Sequence, residues 1–241
     1  MLNVDGLTKR YGARTVVNQV SFTVDPGTIM GLVGPNGAGK TTTLACVAGL
    51  VAPTAGRITW DSTPVLSQPG LVGMLPESPE VYPLLTVWEH LEFVARLFEL
   101  GPNWHEEAES ALVTWGLADQ RDQLGANLSK GLRQRVGLAA AALRRARLLL
   151  VDEPMIGLDP KGQREVREMI RTLANEGTAI VLSSHQLAVI EALADDVVVM
   201  AGGLVRAHDT VQGLMAADEG ASLEDVLLRL TESPGAAPSD S

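Results

Sequence analysis

Two hydrophobic rhythms alternate along the chain. Val20, Phe22 and Val24 alternate with Ser21, Thr23 and Asp25, and Pro26-Gly27 follows. A period of two ending in a Pro-Gly turn predicts a half-buried strand, and residues 1–30 as a whole read as strands. Ile29–Val33 is a short apolar run ending at Gly34, the pattern of a strand buried on both faces. A helix is predicted from about Lys40 to Leu50, closed by Ala52-Pro53. Gly56–Asp61 alternates again, with Ile58 and Trp60 on one side.

The middle changes period. Leu91, Val94, Ala95 and Phe98 fall at i, i+3, i+4 and i+7, one face of a helix. Ala108, Ala111, Leu112 and Trp115 repeat the spacing, with Asn103 and Glu106 as a start signal. A third helix is predicted after Ser129, through an alanine-rich stretch to about Arg145. Residues 80–145 therefore read as a helical insertion. Strand and helix then alternate: Leu148–Val151 as strand, Val166, Met169, Ile170 and Leu173 as a helix face, Thr178–Leu182 as strand, Leu187–Ala194 as helix and Val197–Met200 as strand. That order implies an α/β fold with a mostly parallel sheet. Ser222 and Asp225 form a cap pattern for a last amphipathic helix with Leu223, Val226, Leu227 and Leu230 on one side. Residues 232–241 read as a disordered tail. The expected division is one domain over 1–217, with a core of 1–79 and 146–217 around the helical segment 80–145, and an acidic appendage over 218–241.

Composition narrows what such a domain does. The chain has 241 residues, of which 46% are hydrophobic and 20% charged, excluding collagen, coiled coil and wholesale disorder. Its 19 basic and 29 acidic residues leave a net charge of −10. A strongly acidic chain is a poor wrapper of nucleic-acid phosphate, so no nucleic-acid partner is expected. The single cysteine, Cys46, allows no internal disulfide. The first residues carry no basic region followed by an apolar run, so no signal peptide is expected. No stretch approaches the roughly 18 uncharged apolar residues of a membrane span, so any membrane role is expected to come through a partner.

The chemistry is carried by a few clusters. Gly34-Pro35-Asn36-Gly37-Ala38-Gly39-Lys40-Thr41, followed by Thr42, fits the phosphate-binding loop G-x-x-x-x-G-K-[ST] between a predicted strand and a predicted helix. Glycines let the backbone curl so that successive N–H groups face a phosphate, and the helix N-terminus adds partial positive charge. Lys40 reaches the outer phosphates, and the Thr41 hydroxyl is a candidate Mg2+ ligand. The strand Leu148–Val151 ends in Asp152-Glu153. Asp152 is the candidate second metal partner, held through water, and Glu153 the candidate base for an attacking water.

With these motifs in order, the chain resembles the ATP-binding subunits of ABC transporters over nearly its whole length. Leu128-Ser129-Lys130-Gly131-Leu132 stands where that family has its LSGGQ signature, Gly157-Leu158-Asp159-Pro160 matches its D-loop, and Ser183-Ser184-His185 matches its switch-histidine loop. Tyr11 lies where the family has an adenine-stacking aromatic. The resemblance implies a P-loop NTPase core of RecA type, an N-terminal antiparallel β subdomain and a helical subdomain carrying the signature. It implies ATP and Mg2+ as ligands, with Lys40, Glu153 and His185 catalytic and Thr41, Asp152 and Glu77 at the metal. Ser129, Lys130, Gly131 and Asp159 would meet the nucleotide held by a second subunit in a head-to-tail homodimer. An integral membrane permease would be the other partner, at the inner face of the cell membrane.

Four departures stand out. Glu77 replaces the usual Q-loop glutamine, Lys130 the first glycine of the signature and Leu132 its final glutamine, and Met155 stands where a small residue often follows Asp-Glu-Pro. With the 222–231 helix, these variants resemble the branch that exports drugs, lipids or polysaccharides. The apolar loop around Tyr82, Leu84 and Leu85 is the expected permease contact. Two other classes share the phosphate loop: a small-molecule kinase, which would not need the signature helix or the D-loop, and the non-transport ABC ATPases of translation or DNA repair. They generally carry tandem ATPase units, coiled coils or basic surfaces that this chain lacks.

Overall fold

The computed structural model describes residues 1–216 and 223–232. Strands β1 (Leu2–Tyr11) and β2 (Arg14–Val24) form a hairpin. With β4 (Ala55–Trp60) and β5 (Thr63–Pro64) they make a four-stranded antiparallel sheet in the order β2-β1-β4-β5. The second sheet has six strands, in the order β10-β9-β3-β8-β7-β6. These are β3 (Ile29–Val33), β6 (Val72–Leu75), β7 (Leu148–Asp152), β8 (Ala179–Ser184), β9 (Asp196–Ala201) and β10 (Leu204–Thr210). All neighbours in it are parallel except β9 and β10.

Burial on both faces explains the unbroken apolar runs of this sheet. Side chains alternate along each strand. Met30, Leu32, Leu148, Leu150, Val181, Val198 and Met200 enter one core with helix α1 (Lys40–Val47), Trp60 and the inner residues of β1 and β2. Their neighbours Ile29, Val33, Leu149, Val151, Ile180, Leu182, Val197 and Val199 enter the other. That second core is covered by α2 (Val87–Leu97), α3 (Trp104–Thr114), α4 (Lys130–Leu143), α5 (Pro160–Asn175), α6 (Leu187–Leu193), α7 (Val211–Ala216) and α8 (Leu223–Glu232). Gly31 is small because α6 crosses it: a Cβ there would lie 3.0 Å from Ile190 Cδ1.

Several boundaries differ from expectation. The α1 helix stops at Val47, short of Leu50, because Gly49 turns left-handed. Asn103 precedes α3 but makes no cap hydrogen bond. The reciprocal capping box belongs instead to α2, where Thr86 Oγ1 accepts from the Glu89 N–H and the Glu89 carboxylate accepts from the Thr86 N–H. Phe98, placed on the buried face of that helix, sits at its C-cap and is exposed, its ring under the Arg144 guanidinium at 4.7 Å. Ser129 does cap α4, accepting from the Leu132 N–H at 3.3 Å. The Ser222 cap and the 233–241 tail lie outside the described residues, as do residues 217–221. Strands β6 and β10 are too short or too mixed in sequence to stand out by periodicity.

Leu150 is fully buried on β7, one strand in from the edge of the larger sheet. Leu150→Ala should destabilise the fold by about 2–5 kcal/mol through lost contacts and a residual cavity. Urea unfolding monitored by circular dichroism reads this directly. A loss below about 1 kcal/mol would mean that the sheet collapses around the vacancy, contrary to a rigid two-faced core.

Candidate active site

Strand β8 lies between β3 and β7, all parallel. Whatever follows each of these strands therefore emerges at one edge of the sheet, where α/β folds bind ligands. Here that brings together Gly34–Lys40 after β3, Asp152-Glu153 at the end of β7, Ser183-Ser184-His185 at the end of β8 and, beside β7, Leu75-Pro76-Glu77 after β6.

The loop after β3 leaves the strand through Gly34, at φ 149°, where a Cβ would lie 2.1 Å from the Met200 carbonyl oxygen. Gly39 is the N-cap of α1 at φ 104°, and no side chain caps the first turn. The opening N–H groups of α1 thus face the cleft with their partial positive charge. Lys40 is buried, its ammonium donating to the carbonyls of Gly34 at 2.6 Å and Pro35 at 3.2 Å. Burial pushes its pKa below the usual range, against the upward pull of Glu153 and Asp152.

Asp152 and Glu153 are both buried. Asp152 Oδ1 accepts from the fully buried Ser183 hydroxyl, opposite it in the β7–β8 register. Ser183 Oγ in turn accepts from the Glu153 N–H at 3.3 Å, and the Ser183 carbonyl accepts from the same N–H at 3.1 Å. Glu153 sits in the left-handed region at φ 47°, a conformation costing a non-glycine residue on the order of 1 kcal/mol. The turn directs its carboxylate into the cleft, where Oε1 lies 2.9 Å from His185 Nδ1. A carboxylate held this way can take a proton from water, and the imidazole fixes its orientation.

The cleft has a volume of about 500 Å3. Asn36–Thr42, Glu77, Glu153, His185 and Tyr11 all line it. Tyr11 is half exposed at the β1–β2 turn, with the Lys9 ammonium 4.9 Å from its ring. Gly34, Pro35 and Asp152 lie behind this lining, the first two as acceptors for Lys40. Thr41, Glu77 and Asp152 present only hard oxygen donors, the set that suits Mg2+. Among the described residues no cluster of three His, Cys, Asp or Glu forms a metal cage.

The remaining candidates stand elsewhere. Ser129, Lys130, Gly131 and Asp159 line a second cleft of about 680 Å3, between the start of α4 and the start of α5. Asp159 caps α5, its Oδ1 accepting from the Gly162 N–H at 2.8 Å with Pro160 at the first helical position. One chain thus carries two separate polar clefts, one built on the phosphate loop and one on the Ser129 helix start.

A family model described as ABC transporter matches residues 17–156. The chain belongs to the ABC transporter family. YdbJ of Bacillus subtilis, named an uncharacterized ABC transporter ATP-binding protein, is 36% identical over 229 residues, covering 93% of this chain and 74% of that protein. The bacitracin transport ATP-binding protein BcrA of Enterococcus faecalis is 38% identical over 208 residues, covering 84% of this chain and 67% of the relative. A solved structure described as an ATP-binding subunit of an ABC transporter superposes with a TM-score of 0.87 at 32% identity, covering 95% of this chain and 99% of the other. The ABC fold is thus the P-loop NTPase fold expected, and the chain is an ATP-binding, ATP-hydrolysing subunit of the ABC transporter family. Among its described residues no helix is long and apolar enough to cross a membrane.

The Ser183 hydroxyl was not singled out from the ABC sequence as a site residue. Its signal was the strand-end register: the residue opposite Asp152 on β8 is where an ordering donor must sit. Arg14, Val16 and Ile156 also line the nucleotide cleft without any motif to mark them.

The depressed Lys40 ammonium has a consequence for binding. A triphosphate beside it favours the charged form, so binding raises its pKa. ATP binding at alkaline pH should take up protons, and affinity should fall as pH rises through the lowered Lys40 range. Titration calorimetry in buffers of different ionisation enthalpy measures that uptake. No buffer dependence up to pH 10 would mean that Lys40 is fully charged in the free subunit.

Proposed function

We propose that this chain powers the export of a substrate through a separate integral membrane permease, acting as a head-to-tail homodimer at the inner face of the membrane. The observation that carries the dimer is the pair of half-sites. The phosphate-loop cleft supplies Lys40, Thr41, Glu153 and His185, and the Ser129 helix start is not in its lining. The Ser129 helix start supplies an anion site with no phosphate loop beside it. Two chains related by a two-fold axis complete both sites at once.

In this reading Gly34–Thr42 cradles the phosphates, with Lys40 countering their charge, and Tyr11 stacks on the base. Thr41, Glu77 and, through water, Asp152 would hold a Mg2+ ion, which when bound would supply positive charge against the phosphates. Glu153 takes the proton of the attacking water. His185 steadies Glu153 through Nδ1–H; for Nε2 to donate to the terminal phosphate as well, the ring must carry both protons. Ser129, Gly131 and Asp159 close over the terminal phosphate from the other subunit.

A third cavity, of about 520 Å3, supports the permease contact. Leu75, Tyr82, Phe93, Val94 and Val136 line it, and Tyr82, Leu84 and Phe93 are exposed around it. Pro76 and Ser78 line this apolar groove while Glu77 between them lines the nucleotide cleft. One short segment thus touches both, which supports its role in passing movement to the permease. Export as the direction is supported by the names of relatives. Besides the bacitracin protein, the Nod factor export ATP-binding protein I of Rhizobium etli is 34% identical over 226 residues, covering 90% of this chain and 72% of that protein.

Glu153→Gln should retain ATP and lose steady-state hydrolysis by 10²–10⁴-fold, roughly the worth of a general base. Steady-state phosphate release measures it, and hydrolysis at half the wild-type rate would refute the assignment.

The composite site has its own test. Lys40→Ala spoils a chain's own phosphate loop. Gly131→Asp puts a carboxylate against the phosphate of the opposite chain, and space allows it, the nearest atom to a Cβ there being Leu158 Cδ2 at 3.4 Å. Neither homodimer has an intact site, whereas a mixed dimer has one. Mixing should therefore restore Mg-ATP occlusion that neither parent displays. Mixed dimers that form without gaining occlusion would exclude the head-to-tail arrangement.

A further inference from the structure

Among the described residues, Glu77 in the nucleotide cleft and Lys130 in the other have no ion pair, although Arg14 also lines the first cleft and Asp119 the second. In the nucleotide cleft, Glu153 is held by His185 and Asp152 by Ser183. Glu77 is exposed beside them and, among the described residues, has neither a hydrogen bond nor an ion pair. In the other cleft, Arg135 and Lys161 both meet Glu165, at 3.4 and 3.8 Å, and Asp159 is engaged as a cap. Lys130 is the first residue of α4, next to the Ser129 cap, and among the described residues it too has no ion pair. Its stem runs along Gly157, where a Cβ would lie 3.6 Å from Lys130 Cδ. The ammonium is thereby kept at the mouth of the cleft. These two residues are also two of the four positions at which the chain departs from the ABC pattern. One departure adds a negative charge and the other a positive one.

We propose that Glu77 and Lys130 are a compensating charge pair across the dimer, Lys130 of one subunit offsetting the charge that Glu77 of the other adds beside the terminal phosphate. The inference rests on the head-to-tail reading above. A carboxylate facing a triphosphate raises the negative charge that closure must bury, and a like-charge contact in a closing interface costs affinity. A lysine delivered by the opposite subunit cancels that charge only when the two halves meet. The pair is therefore felt in closure rather than in the open chain. It also sets partner choice. A subunit with neutral residues at both positions would leave Glu77 unanswered in one mixed site, so self-association is the favoured combination.

The test is a double-mutant cycle on Mg-ATP-dependent dimerisation in a Glu153→Gln background, followed by sedimentation. Lys130→Ala alone should weaken the dimer at least about tenfold, and Lys130→Arg should restore it, because the charge is what matters. With Glu77→Gln already present, Lys130→Ala should cost less than about threefold. Mixing supplies the second readout. A Lys130→Ala chain should pair better with a Glu77→Gln chain than with itself, since the mixed dimer contains one intact pair and one neutral pair. Compensation inside one chain, by Arg14 for example, would gain nothing from mixing. An equal penalty for Lys130→Ala in both backgrounds, with the parent dimer intact, would overturn the pair alone. A parent that forms no Mg-ATP-dependent dimer would instead sink the head-to-tail reading and the pair with it.

Discussion

The site depends on one constraint, the side-by-side parallel register of β3, β8 and β7. Register decides which residue of one strand meets which residue of the next, and a slip of one exchanges the two faces. In this sheet a slip of β8 against β7 would move Ser183 away from Asp152, removing the hydroxyl that both Asp152 and the Glu153 N–H use. It would also turn Ile180 and Leu182 from the helix-covered core to the α1 side. The same alternation that buries the strands therefore aims the chemistry. Apolar residues fix the register along the strands, and the polar residues at their ends inherit their positions from it.

Legibility in the sequence followed the strength of local signals. The runs at Ile29–Val33 and Leu148–Val151 were visible because both neighbours of every residue are apolar, which only a doubly covered strand requires. Ser129 as a cap was visible because capping chemistry is local. Asn103 had the right spacing but no cap bond, whereas Thr86 with Glu89 formed the full box. Between two plausible starts, the tertiary path of the chain decided, and Thr86 is further fixed by its bridge to Leu124. Strand β6 was not legible, since Val72–Leu75 includes a glycine and is only four residues long. Its place at the sheet edge comes from pairing with β7, a long-range fact.

The site was legible as a set of residues and much less so as a geometry. Spacing along the chain identified the phosphate loop, the Asp152-Glu153 pair and His185. Spacing alone did not group them, whereas the ABC resemblance set Ser129, Lys130, Gly131 and Asp159 apart from the phosphate loop. In the structure the two sets line separate polar clefts of one chain. Helix α4 begins on the far side of the helical layer, and its anion-facing start cannot fold back onto the phosphate loop of its own chain without dismantling the core that α4 shares with α2, α3 and α5.

The segment after β6 joins these two scales. Leu75 is buried at the end of the strand, Pro76 fixes the backbone, and Glu77 reaches the nucleotide cleft. The next residues turn into the apolar groove, where the loop is stapled by His90, whose Nε2 accepts from the Tyr82 N–H at 2.6 Å while its Nδ1–H donates to the Thr86 carbonyl at 2.8 Å. A displacement of Glu77 therefore cannot relax within the loop. It is carried either into β6, which is locked by its pairing with β7, or into the groove wall, which faces open space. The groove wall is the softer of the two, because moving it breaks no sheet hydrogen bonds and buries no unpaired group. A charge at position 77 is thus placed where its movement is passed most easily to the wall of the apolar groove.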